Sequence, residues 1–173
     1  LGNKNLSQIG KMTIYRQRGD CFRHIGDWED AKNSYLNAIS YKEDSVARIF
    51  LAETLLQLEM VPDAKESLSL IDKQLLDLPG HTDFVFVFAA ISIETGELSM
   101  LAEAKKLLEN LRIDNPFFEK RRLTIIVNVI ETIENGRSAP RAMATRNLLA
   151  GIFRFAGKYL ILQPNFMGLG LNL

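Results

Sequence analysis

Residues 15–38 read YRQRGDCFRHIGDWEDAKNSYLNA. Tyr15, Gly19 and Phe22 recur at the spacing of one helix face. Gly26-Asp27 breaks the run, and Ala31, Tyr35 and Ala38 resume the same spacing after it. Gly19 and Ala31 are small enough for two helices to approach closely, while Tyr15, Phe22 and Tyr35 are large enough to fill the gaps around that contact. The segment predicts an antiparallel helical hairpin.

Outward from this hairpin, apolar and small residues keep a helical period between the short breaks GDWED, VPDA, PGHTD and ENGRSAP. The breaks predict helices over 8–25 and 28–41, 45–59 and 62–77, 82–95 and 99–113, and 117–135 and 139–162. Asp63, following Pro62, suits an acidic first turn, and Asn115-Pro116 suits a stop because proline disfavours helix at the residue before it. Phe84-Val85-Phe86-Val87-Phe88 has the composition of a strand. Its apolar character runs on through Ala89, Ala90, Ile91 and Ile93, beyond a typical strand of about five to six residues, and no partner strand is available. A helix buried on nearly all sides is therefore expected there.

The spacing of Tyr15, Arg18, Gly19 and Phe22, followed by Gly26 to Ala31, Tyr35 and Ala38, resembles a tetratricopeptide repeat, with Arg18 in place of the family's usual leucine. A second copy follows after about 33 residues in Leu51, Ala52, Leu55, Ala64, Leu68 and Ile71. A third places Phe86, Ala89, Ala90 and Ile93 before ETGELSML, with Ala104, Leu108, Leu111 and Pro116 after it, and needs roughly two extra residues in its turn. The fourth has Leu123, Ile126, Val127 and Ile130, the connection ENGRSAP and a long second helix ending near Gln163-Pro164-Asn165. The resemblance implies an all-α fold, a right-handed α-solenoid of about four stacked antiparallel helix hairpins. It forms one domain over 1–173, with repeats near 12–44, 45–78, 83–116 and 117–164.

The whole chain has 173 residues, 47% of them hydrophobic, and 21 basic against 21 acidic residues, which suits a single soluble domain and removes global attraction to nucleic acid as a default. The balance is uneven along the chain. Residues 1–111 hold 12 Lys and Arg against 17 Asp and Glu, and residues 112–173 hold 9 against 4. The lone Cys21 excludes an internal disulfide, and with two distant histidines makes no zinc spacing. No secretory signal or stretch of about 20 apolar residues appears. A cytoplasmic setting is expected, with no membrane partner and no cofactor. The first residue is not methionine and the last lies within the apolar FMGLGLNL, which reads as a cap or the start of another helix, so a piece of a longer protein is expected.

In stacked hairpins of this family, the first helices line a concave surface where partners bind. That implies Arg16, Asp20 and His24 in the first repeat; Ile49, Glu53, Leu56 and Gln57 in the second; Val87, Ile91 and Glu94 in the third; and Arg121, Thr124, Asn128 and Glu131 in the fourth. The mixture of apolar and charged groups suits a protein or peptide partner. Members that grip a terminal carboxylate use a Lys/Asn set, whereas Arg16 and Asp20 stand here, and Asp20 would repel a carboxylate unless Arg16 neutralises it. Arg137, Arg141 and Arg146 form a basic patch able to meet phosphate or an acidic surface. This leaves a nucleic-acid-binding helical repeat as the alternative reading, disfavoured because Phe153, Phe155 and Tyr159 are spaced as core. The opposite charges of the two parts also allow self-association or docking to neighbouring domains.

Catalysis has little to build on. Cys21 and His24 are helical neighbours, but Cys21 sits between packing positions and is expected to be a buried structural thiol. His81 is expected in an exposed turn. The chain is therefore expected to be a non-enzymatic scaffold or sensor segment, and the resemblance implies that it belongs to a larger intracellular signalling protein, since regulatory proteins and signalling NTPases often carry such repeats beside an effector domain.

Overall fold

The computed structural model describes residues 7–114 and, beyond them, residues 127, 128, 130, 131 and 135. The described residues are all-helical: α1 (Gln8–Ile25), α2 (Trp28–Tyr41), α3 (Ser45–Gln57), α4 (Val61–Ser69), α5 (Leu78–Thr95) and α6 (Leu98–Asp114), with a 3-10 turn at Lys73–Leu75 between α4 and α5. Residues 127, 128, 130 and 131 are also helical. Short links join α1 to α2, α3 to α4 and α5 to α6, and each pair packs against itself, which makes each an antiparallel hairpin. The hairpins meet through α2 with α3, α4 with α5, and α3 with both α1 and α5.

Side chains start most of these helices. Ser7, Asp27, Asp44 and Asp77 each accept a backbone N–H from the first turn they precede, meeting a donor that has no partner within the helix. The start of α4 instead carries Pro62, which loses nothing where the N–H is unpaired, and Asp63 in the positive end of the helix dipole.

The ends of the first helices repeat one another. Gly26 ends α1 in a left-handed conformation (φ 81°), with the Asp27 N–H bonded to the Phe22 carbonyl and the Gly26 N–H to the Arg23 carbonyl. Glu59, 33 positions on, repeats this after α3 (φ 65°), with Met60 bonded to Leu55 and Glu59 to Leu56. Gly96 again takes φ 66° after α5. Seven positions before each lies a small residue, Gly19, Ala52 or Ala89, and all three are buried.

That spacing relocates the third repeat's extra residues. The third link, Gly96-Glu97, is as short as the first, Gly26-Asp27, and shorter than the second, Leu58 to Met60, so the hairpin turn expected to be longer is not. The insertion lies between α4 and α5. Counted from the turn, Leu101 and Leu108 stand where Ala31 and Ala38 stand, and Ala104 matches the buried Ser34 and Ser67.

Two helix limits also differ from the periodic reading. The fourth helix, expected to reach 77, stops at Ser69. Ser69 Oγ donates to the Glu66 carbonyl and Asp72 Oδ1 accepts the Gln74 N–H, local bonds that compete with helix continuation. The fifth begins at Leu78 rather than 82, because Asp77 caps it and proline is tolerated in its first turn. His81 is therefore a partly buried helical residue whose N–H bonds the Asp77 carbonyl, not an exposed turn residue.

The strand-like run Phe84–Phe88 is helical, as expected. Phe84 and Phe88 stack with ring centroids 6.0 Å apart, four residues along one helix face, whereas a strand would separate them by about 13 Å. Phe84, Val85, Val87, Ala89, Ala90, Ile91 and Ile93 are all buried, which accounts for a helix apolar all round. All of these but Ala90 share one core with Tyr35 and Ala38 of the first hairpin, Ile49, Leu51 and Leu55 of the second, Leu101 and Leu108 of α6, and Ile130.

Candidate site around Arg23

Gly19 sets this site. The Tyr35 ring lies against the α1 backbone where a Cβ on Gly19 would come within 2.6 Å of it, and so its hydroxyl reaches Asp20 Oδ1, to which it donates at 2.7 Å. One turn on, Arg23 Nη1 donates to Glu53 Oε2 of α3 at 2.8 Å, and its Nη2 is 3.9 Å from Asp20 Oδ1. The guanidinium lies over the Phe50 ring, 4.2 Å from its centroid, and Phe50 in turn packs against Tyr35. Arg23 Nε is buried with no hydrogen-bond partner among the described residues. The cluster thus ties α1 to α2 and α3 through charge and aromatic contact.

Its electrostatics follow from burial and from more carboxylates than cations. Burial opposes the Arg23 charge, but Glu53, Tyr35 and Asp20 outweigh it and raise its pKa, so the guanidinium stays charged. Burial raises the Glu53 pKa, and Arg23 offsets only part of the rise. Burial likewise raises Tyr35, against Arg23 and with help from Asp20, which keeps the hydroxyl protonated and donating. Asp83 of α5 is pushed up to about 7, first by burial and then by Glu53, with Asp77 and Asp20 adding and Arg23 opposing. Asp83 has no hydrogen-bond or ion-pair partner among the described residues.

The expected contact residues do not share one open surface. Ile49, Glu53, Val87 and Ile91 are buried in the packing of α3 and α5 instead of being exposed on a concave face, because α3 touches α1, α2, α4 and α5 and leaves these positions little solvent. His24 and Glu94 are exposed, and Asp20, Leu56 and Gln57 are half-buried. Arg16 does not neutralise Asp20. It donates to Asp44 at 2.9 Å, the residue that also caps α3. Glu131 accepts from Lys105 at 2.8 Å, and Asn128 is exposed. Arg121, Thr124, Arg137, Arg141 and Arg146 lie outside the described residues.

Cys21 is exposed, not buried. Two residues turn a helix by about 200°, so the position after Asp20 faces away from the seam that Gly19 occupies. His24 Nδ1 donates to the Asp20 carbonyl at 2.6 Å, so that nitrogen is turned to the α1 backbone rather than to Cys21. Among the described residues there is no group of three or more His, Cys, Asp or Glu placed to hold a metal ion, and no helix is long and apolar enough to cross a membrane.

The periodic reading found Asp20 and Glu53 but passed over Arg23, Asp83 and the polar use of Tyr35. A signal was present: Asp20 and Glu53 occupy equivalent repeat positions, 33 apart, so two acidic groups come together on neighbouring first helices and need a cation within reach. Comparison with protein-family models, with curated proteins and with solved structures gives no match to this chain.

Proposed function

We propose that the chain is a non-enzymatic, tetratricopeptide-like scaffold or sensor segment of an intracellular signalling protein, its hairpins stacked as a right-handed solenoid and its first helices presented to a protein or peptide partner. The observation that carries this reading is the recurrence of one structural unit. A left-handed residue at Gly26, Glu59 and Gly96 ends each first helix, with a buried small residue seven positions before it. Units of this kind leave an apolar side to be covered by the next, and their stacked faces are extended surfaces of the sort partners use. With Ile49, Glu53, Val87 and Ile91 buried, contact falls to the accessible side chains beside them: Asp20, His24, Leu56, Gln57 and Glu94.

Site-specific photo-cross-linking tests the surface. A photoreactive residue placed at His24 or at Glu94 is expected to trap the same protein in cells, while one at Leu36 or Ser40 of α2 traps little. Equal trapping from α2, or trapping of RNA instead of protein, would overturn the assignment.

A further inference from the structure

Ile14, Arg18, Cys21 and Ile25 stand at helical spacing along one face of α1, and all four are exposed, Ile14 by 48% and Ile25 by 76%. Counted from the left-handed residues Gly26, Glu59 and Gly96, the same face of α3 holds Ala47, Leu51, Thr54 and Leu58, and that of α5 holds Phe84, Phe88, Ile91 and Thr95. There Ala47, Leu51, Thr54, Phe84 and Ile91 are buried, and the others half-buried. On α3 and α5 this face is covered by the preceding helix, α2 packing on α3 and α4 on α5. Lys32 and Leu36 of α2 line a cavity with Leu51, and Lys65 and Leu68 of α4 line another with Phe84 and Phe88. Lys32 and Lys65 are repeat equivalents, so each interior seam sets a lysine beside an apolar first-helix residue, Leu51 or Phe88. On α1 that residue is Arg18, whose guanidinium lies over the Phe22 ring, 5.2 Å from its centroid. The one acidic residue of α1, Asp20, accepts the Tyr35 hydroxyl on the other side of the helix. The outer stripe of α1 is thus apolar with a positive middle.

We propose that this stripe docks an acidic amphipathic helix of a protein partner, seated on α1 as α2 sits on α3 and α4 on α5. Continuity with those two seams gives the occupant its shape: a helix lying along α1, its apolar side chains against Ile14, Cys21 and Ile25. Charge gives it its chemistry. A lysine in the position of Lys32 or Lys65 would meet Arg18 and be repelled, whereas a carboxylate there is attracted. The same repulsion disfavours a second copy of the chain presenting its own α2 or α4. The stripe shares no residue with Asp20, His24, Leu56, Gln57 and Glu94, and the two surfaces are tested separately.

The probe is a pair of helical peptides with the α2 sequence, residues 28–41, stapled through the exposed positions 33 and 37, one unaltered and one carrying Lys32→Glu. Each is titrated into the 173-residue chain and followed by the methyl NMR signals of Ile14 and Ile25. The glutamate peptide is expected to shift both signals and to bind about tenfold more tightly than the lysine peptide, as repulsion at Arg18 becomes attraction. In Arg18→Glu the order of the two peptides reverses, which apolar contact alone would not produce. Equal affinities, binding that leaves Ile14 and Ile25 unmoved, or no shift at millimolar peptide would overturn the proposal. So would shifts that grow with the concentration of the chain alone, which would identify a second copy as the occupant. The unaltered chain and the two peptides decide the matter even if Arg18→Glu does not fold.

Discussion

At Gly19 a single hydrogen in place of a methyl group lets the Tyr35 ring lie on the backbone of α1. The ring cannot swing aside freely, since its hydroxyl is held by Asp20 and the ring of Phe50 lies tilted against it. Gly19→Ala is therefore expected to destabilise the chain by about 1–3 kcal/mol, the usual range for overpacking, read as a lower urea midpoint. An unchanged midpoint would mean that the ring gives way. This residue was legible in the sequence, because a glycine within a helix otherwise costs stability and a large aromatic sits where the second helix should meet it. The fate of Cys21 was not legible in the same way. Proximity to two packing positions along the chain says nothing of direction around the helix axis, and there Cys21 points outward.

Among the elements, α3 ends on a compromise. Its left-handed closing residue is Glu59, where α1 and α5 have glycine, so a side chain occupies a backbone conformation that disfavours it. Glu59→Gly is expected to raise the urea midpoint, with a gain of about 0.5–1 kcal/mol, while the same change at the neighbouring Leu58 lowers it. The existence and order of α1 to α6 were readable from apolar period and turn chemistry. Helix limits were less so, since the ends of α4 and α5 are decided by Ser69, Asp72 and Asp77, short polar side chains whose bonds to nearby backbone are invisible to periodicity. The strand-like Phe84–Phe88 run shows tertiary surroundings overriding local preference: enclosed by the core, its aromatic and β-branched residues find partners as a helix.

For the whole molecule, the Arg23–Glu53 pair links the first hairpin to the second within the buried part of the structure. Removing one partner strands the other. Arg23→Met is expected to cost about 3–5 kcal/mol by leaving the Glu53 charge buried and uncompensated, and adding Glu53→Leu is expected to recover much of it. Chemical denaturation of the two single variants and the double variant measures the coupling. Equal, additive losses would show that the pair contributes no interaction of its own. How the hairpins share charge could not be read along the chain, because Asp20 and Arg23 of α1 and Glu53 of α3 are some 30 residues apart and come together only when these helices pack. The split of charge between residues 1–111 and 112–173 was visible, but it predicted docking between parts of the chain rather than a cluster wholly within the acidic part.

The exposed thiol of Cys21 has a practical consequence. It is the chain's single cysteine, on α1, and the chain's single tryptophan, Trp28, opens α2 of the same hairpin. A dye conjugated to that thiol and excited through the indole forms a donor–acceptor couple reporting only the first hairpin, needing no engineered label site. Set against circular dichroism of the entire chain, it distinguishes melting hairpin by hairpin from melting as one cooperative body.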